Sequence, residues 1–151
     1  MLKEDKKYDA LRLDHQICFP LYAASKEIVK RYKPFLDELD LTYTQYITML
    51  VLWEKEKVGV KELGERLYLD SGTLTPVLKS LEQKGYVVRT RPESDERTLL
   101  VTLTEAGQKL KDQAVSIPGK MVSSCVALSA EEAAQLYVIL YKILGVDKSA
   151  R

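Results

Sequence analysis

A mainly helical chain with one small β-hairpin is the architecture this sequence predicts. Three observations carry it. Apolar residues recur at spacings of three and four through most of the chain, the signature of helix faces. The period switches to strand-like alternation once, between Tyr86 and Leu103, around the turn Pro92-Glu93-Ser94-Asp95. Helix-start signals precede the periodic runs: Thr42 with Gln45, Asp70 or Ser71, Thr104, and Ser129 with Glu132.

Taken in order, residues 1 to about 9 read as a polar leader. Leu13, Ile17, Leu21, Ala24 and Ile28 then mark one face of a helix from Leu11 to Tyr32. Pro34 predicts a break near Lys33, followed by a short piece from Phe35 to Leu39. The next helix runs from about Tyr43 to Lys55, and Gly59 ends a linker. Val60 to Leu67 is a short helix, Tyr68-Leu69-Asp70 a turn, and the following helix reaches about Lys84. In it Leu74, Val77, Leu78 and Leu81 face inward, Pro76 is tolerated near the first turn, and Gly85 stops it. Tyr86–Arg91 and Arg97–Leu103 are the strands of the hairpin. A helix from Thr104 to about Ser123 breaks near Pro118-Gly119. The last helix carries Leu136, Ile139, Leu140, Ile143 and Leu144 on one stripe. Wide apolar faces at both ends of the chain predict pairing between two copies; packing within one monomer is the other option.

Composition narrows the class. With 151 residues, 46% apolar and 30% charged, the chain fits one ordinary soluble domain. The longest apolar stretch, Met49 to Trp53, cannot span a bilayer, and the charged start Met1–Lys7 is no secretion signal, so a cytoplasmic protein with no membrane partner is expected. Two cysteines, Cys18 and Cys125, and one histidine make no structural zinc site. No metal and no cofactor are expected. His15, three residues before Cys18, reads as a solvated residue. The net charge of +1 leaves a nucleic-acid partner open, so such a reading rests on where the charges sit.

Their placement favours DNA. Two short helices, a turn, a longer helix and a charged hairpin form a winged helix-turn-helix pattern. A recognition helix needs one apolar face against its domain and one small polar face for the major groove. From Asp70 onward the outward positions are Ser71, Thr73, Thr75, Lys79, Ser80 and Gln83, suited to phosphates and base edges. The hairpin carries Arg89, Arg91 and Arg97, and arginine suits the minor groove. Asp95 and Arg97 are placed to pair and stiffen the tip.

The run Leu69-Asp70-Ser71-Gly72-Thr73-Leu74-Thr75-Pro76, with Leu78-Lys79 after it, resembles the recognition helix of the OhrR branch of the MarR family of repressors. Asp95-Glu96-Arg97 resembles the MarR wing signature. The resemblance runs from about Asp14 to Leu144. It implies one MarR-type domain over 1–151 that forms a homodimer on double-stranded operator DNA. About 10–40 and 104–151 would be dimerisation helices, and about 43–103 the DNA-binding lobe.

The resemblance extends to a thiol. In OhrR proteins a cysteine near the N-terminus is held by tyrosine hydroxyls of the partner chain. It implies that role for Cys18, with Tyr32, Tyr43 and, less directly, Tyr22 around it. Without the resemblance, Cys18 on an apolar helix is an inert core residue. An apolar pocket from Phe19, Tyr22 and Tyr46 is expected to favour organic hydroperoxide over hydrogen peroxide. Cys125 either resolves oxidised Cys18 between chains or is a bystander, in which case small thiols cap the sulfur. Three other readings compete: a MarR repressor answering a small phenolic or amphipathic ligand, a thiol-based regulator of virulence or surface genes, and a thiol peroxidase. The last gives the polar helix face and the wing no purpose, so no enzyme is expected.

Overall fold

The computed structural model describes residues 6–125 and 127–148. The chain divides into two compact units, Met1–Pro118 and Gly119–Arg151.

The first unit begins with two 3-10 turns, Lys6–Leu11 and Leu13–His15, and then α1, Cys18–Asp37. The long helix expected from Leu11 therefore starts seven residues later. Pro20 explains the offset. As the third helical residue it lacks an N–H where none is needed, and its ring would clash with the Gln16 carbonyl if the helix continued upstream. The break expected at Pro34 is not there; α1 runs through it. Pro34 stands in the last turn, so one missing bond near the helix end is tolerated, and buried Leu36 anchors that end.

Nearly all of α1 before Leu36 lies on the surface. Ile17, Phe19, Leu21, Tyr22, Ile28 and Val29 are all exposed. The apolar face of α1 is thus not covered by the rest of the first unit.

α2, Tyr43–Lys55, starts in a full capping box between Thr42 and Gln45, as the residue types require. It is the central helix: Tyr46, Met49, Leu52 and Trp53 are buried along it. A three-residue strand that the sequence pattern did not reveal, β1 (Lys57–Gly59), follows, then α3 (Val60–Leu67) and α4 (Ser71–Gln83). Leu63, Leu74, Leu78 and Leu81 fill the space between them, each worth roughly 1.5–3 kcal/mol of burial. Val77 is only partly covered. Pro76 sits at the sixth helical position, a turn deeper than expected, where the residue four places back is Gly72. At the far end the Gly85 N–H donates to the Glu82 carbonyl and the Tyr86 N–H to that of Leu81. Gly85 has φ +79°. This is a Schellman stop, which needs a residue at ease in the left-handed region.

The wing strands are shorter than expected: β2 is Val87–Thr90 and β3 Leu100–Leu103. The antiparallel sheet has the order β1-β3-β2, with Val58 opposite Val101 and Val87 opposite Leu103. The return strand is therefore the middle strand.

α5, Glu105–Ala114, is capped by Thr104. A break at Val115–Ser116 separates it from α6, Ile117–Cys125, so Pro118 lies in the first turn of α6 rather than at a break. That is where a proline fits best.

The second unit holds the rest of α6 and α7, Ala130–Ile143, the latter opened by a Ser129–Glu132 capping box. Leu136, Ile139, Ile143 and Leu144 are exposed on it, so its apolar stripe is also uncovered. No helix among the described residues is long and apolar enough to cross a membrane.

Candidate functional site

Two regions of the first unit carry the chemistry. One is the face formed by α4 and the wing. Asp70 caps α4 through a bond from the Thr73 N–H to its Oδ1, 2.8 Å. It is therefore occupied in holding the helix start. Ser71, Thr73, Thr75, Lys79 and Gln83 are all exposed. Thr75 Oγ1 donates to the Ser71 carbonyl at 2.7 Å, which leaves its methyl group outward. Among the described residues Lys79 has no ion pair.

The geometry places three of the residues expected on this face elsewhere. Ser80 is only partly exposed, and its hydroxyl accepts from Gln45 Nε2 of α2 at 2.9 Å. It faces the protein. Arg89 is held by Glu82 of α4: its backbone N–H donates to Oε1 at 2.8 Å, while Nε and Nη2 donate to Oε2 at 3.0 and 2.8 Å. The Arg89 side-chain and backbone bonds hold the Glu82 carboxyl below the usual carboxylate range. Arg89 thus ties the wing to the recognition helix. Asp95 does not pair with the Arg97 guanidinium. Its carboxylate accepts from the Thr98 hydroxyl and from the Arg97 backbone N–H at 3.0 Å, and those bonds lower its pKa. The acid folds the wing tip, and the Arg97 side chain is left without an ion pair among the described residues. Arg91 donates to the Glu96 carbonyl at 2.9 Å and brings the tip together.

A groove of about 830 Å³ runs between the wing and the start of α3 and α4, lined by Lys61, Tyr68, Ser71, Arg91, Arg97 and Thr98, among others. Lys61 and Tyr68 are contributions that spacing alone did not show. Lys61 faces the groove because β1 pairs with the wing, and the Val60 N–H donates to the Leu99 carbonyl at 2.9 Å. Tyr68 sits in the left-handed region, φ 54°, at the end of α3. That conformation turns the chain sharply into the cap of α4. Lys61 and Arg97 line this groove and Lys79 is exposed on α4; none of the three has an ion pair among the described residues, and cations so placed suit a phosphate backbone.

The second region is the thiol and its tyrosines. Cys18 is a free, exposed thiol and the first residue of α1. No side chain caps this helix start, and the N-terminal end of a helix carries partial positive charge. Tyr32, Tyr43 and Tyr46 form a ring cluster, with centroids 5.0, 5.7 and 6.4 Å apart, and Trp53 lies 6.5 Å beyond Tyr46. Burial raises the Tyr43 phenol. Burial, followed by the neighbouring Tyr32 and Tyr43 hydroxyls, pushes Tyr46 up to about 12. These phenols stay neutral donors at any physiological pH.

One helix holds Cys18 and Tyr32 apart. At 1.5 Å per residue the separation along α1 is about 21 Å. The pocket expected from Phe19, Tyr22 and Tyr46 is accordingly not gathered within one chain. Phe19 and Tyr22 stand exposed at the start of α1, while Tyr46 is buried beside Tyr32, further along. The Tyr22 hydroxyl accepts from Lys26 Nζ at 3.3 Å. His15 is exposed, with Nδ1 3.0 Å from the Asp9 carbonyl oxygen. Cys125 ends α6; its side chain lies outside the described residues.

Comparison with known proteins agrees with this geometry. The family described as transcriptional regulator SarA/Rot matches residues 30–114. The organic hydroperoxide resistance transcriptional regulator of Bacillus subtilis is 51% identical over 93% of this chain and 95% of its own. The regulator SarZ of Staphylococcus aureus is 53% identical over 72% of this chain and 74% of its own. Among solved structures, reduced AbfR bound to DNA superposes with a TM-score of 0.77 at 34% identity, covering 92% of this chain and 94% of that one. AbfR of Staphylococcus epidermidis gives 0.71 at 37%, covering 92% and 95%. With a winged helix-turn-helix fold, and with relatives of this similarity along nearly its whole length, the chain belongs to the MarR/SarA-type family of winged-helix, DNA-binding transcriptional regulators, in its organic hydroperoxide resistance branch, and is not an enzyme.

Proposed function

We propose that this regulator is a redox-sensing repressor: a homodimer that holds operator DNA and releases it when an organic hydroperoxide oxidises Cys18. The observation that carries this reading is the separation of the exposed thiol from the tyrosine cluster along one unbroken helix. The hydroxyls of Tyr32 and Tyr43 can bond the sulfur only if a second copy brings them to Cys18. The uncovered apolar faces of α1 and α7 supply surface for that association. Residues 10–40 and 104–151 would then join the copies, and 43–103 would read DNA. AbfR, a relative, has been solved in reduced, overoxidized and disulfide forms.

The chemistry follows from the arrangement. Neutral phenols can hydrogen-bond the sulfur without adding a cation to an apolar site. The thiolate attacks the terminal oxygen of the hydroperoxide, the O–O bond breaks, and the alkoxide takes a proton and leaves as the alcohol. Sulfur is oxidised by two electrons to the sulfenic acid, and the hydroperoxide is reduced. A second thiol, Cys125 of the other copy or a small molecule, can then displace water to give a disulfide. The oxidised sulfur no longer fits the phenol bonds, the tyrosine-lined seam shifts, and the spacing of the two recognition helices is lost. On DNA, Ser71, Thr73, Thr75, Lys79 and Gln83 enter the major groove, and Arg91 and Arg97 approach the minor groove.

A second reading rests on a pocket of about 580 Å³ lined by Val29, Lys30, Leu36, Leu41 and Tyr43, among others. A small phenolic or amphipathic acid suits that lining. One experiment separates the two. Operator binding is measured at fixed salt for wild type and Cys18→Ser, with and without cumene hydroperoxide. Release by wild type and retention by Cys18→Ser is the expected result. Retention by both refutes the thiol switch and leaves the ligand reading. Release by both shows that oxidant acts elsewhere.

A further inference from the structure

Gln45 is almost fully buried, 5% exposed, yet it is polar and sits between the two tyrosines of α2. Its amide makes three hydrogen bonds. Oε1 accepts from the Thr42 backbone N–H at 3.0 Å and from Lys84 Nζ at 3.3 Å, and Nε2 donates to Ser80 Oγ at 2.9 Å. The capping bond fixes which way the amide points, because a backbone N–H requires the oxygen. Lys84 continues the chain of contacts: its ammonium also donates to the Asp40 carbonyl and lies 3.2 Å from the Asp40 carboxylate. Asp40 is in the turn between α1 and α2, with φ 52°. Ser80 is in the last turn of the recognition helix and Lys84 is the residue that caps its C-terminal end, both turned toward α2. The corner that holds Tyr32, Tyr43 and Tyr46 is therefore bolted to the back of α4 by polar bonds, where the remaining contact is leucine packing. Apolar packing resists separation but is weakly directional; hydrogen bonds fix angle and register.

We infer that Gln45, acting through Ser80 and Lys84, is a positioning element that sets the angle of the recognition helix relative to the tyrosine corner. Operator reading then depends on residues that never touch DNA. The second half of the inference, that the same bonds pass the oxidation signal to α4, rests on the thiol switch proposed above. The positioning half does not.

The test uses Ser80→Ala, which cuts the link to α4 and leaves the α2 capping box whole. Ser80→Thr, which keeps the hydroxyl, and Lys84→Met accompany it. Reduced protein is titrated with operator and with non-operator duplex over a range of salt. The expected result for Ser80→Ala is operator affinity weakened about three- to tenfold, within the reach of such indirect contacts. Non-operator affinity and the salt slope stay at the wild-type values, because no phosphate contact is lost. Ser80→Thr restores affinity, and Lys84→Met weakens it in the same way. Operator affinity within twofold of wild type in Ser80→Ala overturns the inference. So does an equal loss on both duplexes, which would make Ser80 a direct, sequence-independent contact. The ratio of oxidised to reduced operator affinity then reads the coupling half. It shrinks in Ser80→Ala if the bonds transmit the signal, and stays at the wild-type ratio if they do not. A wild-type protein that ignores oxidant refutes the switch alone and leaves the positioning result standing.

Discussion

Replacing Gly107 by alanine should destabilise this protein, although alanine is the better helix former by about 1 kcal/mol. Gly107 is the third residue of α5 and is buried. A Cβ built there would lie 2.2 Å from the Tyr86 carbonyl oxygen and 2.7 Å from Leu103 Cδ1. Leucine can rotate away; a backbone oxygen cannot. Tyr86 is fixed because its carbonyl also accepts the Thr104 N–H at 3.1 Å. Relieving the clash requires α5 to move by about 1 Å, an overpacking cost of roughly 1–3 kcal/mol. The same movement stretches the bond from Trp53 Nε1 to the Gly107 carbonyl, 2.9 Å, worth about 1 kcal/mol. After the helix gain is subtracted, a loss of about 1–3 kcal/mol remains, or a fall in Tm of roughly 2–12 °C at this chain length. The assay is a thermal melt with a urea titration at constant protein concentration. Trp53→Phe, which removes the donor together with part of a buried ring, serves as the comparison and should lose more than the roughly 1 kcal/mol of the bond itself. A Gly107→Ala protein that melts at or above wild type would show that α5 is not pressed against the wing base.

Three further outcomes test the DNA face and the tyrosine corner. Arg97→Gln should weaken operator and non-operator binding alike and reduce the salt slope by about one per subunit, whereas Arg89→Gln should leave that slope unchanged and lower the urea midpoint by freeing Glu82; fluorescence anisotropy and urea melts separate the two. Asp70→Ala removes a cap and should lose about 1 kcal/mol of stability, read as a lower urea midpoint, together with weaker operator binding from a frayed start to α4. The raised pKa of Tyr46 makes folding favour its neutral form, so that stability contribution is complete below pH 10 and disappears as pH rises through about 12. Tyr46→Phe should therefore lose less stability than wild type between pH 9 and 12, in urea midpoints taken across that range, and an equal loss would show that the phenol is not buried.

Caps and stops could be read from the sequence because they are local. Thr42, Asp70, Thr104, Gly85 and Ser129 each act through bonds to residues within a few positions. The tyrosine corner was partly legible: Tyr32 and Tyr43 stand out, but their stacking with Tyr46 depends on how α1 and α2 pack. Prolines misled in both directions. Pro20 set a helix start inside an apolar repeat that ran past it, and Pro34 was absorbed where buried Leu36 holds the helix end. β1 is too short for its three residues to show a period; it exists because β3 offers an edge. Ser80 and Arg89 show the deeper limit. Their spacing puts them outward, and only the approach of Gln45 and Glu82, from elements or turns beyond the local pattern, claims their bonding groups.

The place of β3 in the middle of the sheet has a consequence for how such a protein can change. The wing, the first helix of the reading motif and the recognition helix share one hydrogen-bonded spine, so they travel together. In the dimer proposed above, the letters of a half-site would be chosen by side chains on that block, and the distance between half-sites by the helices that join the copies. The two sets meet at the Gln45, Ser80 and Lys84 bonds. A lineage built this way can change the letters it reads through the outward side chains of that block, Ser71, Thr73, Thr75, Lys79 and Gln83, without disturbing the bonds behind it.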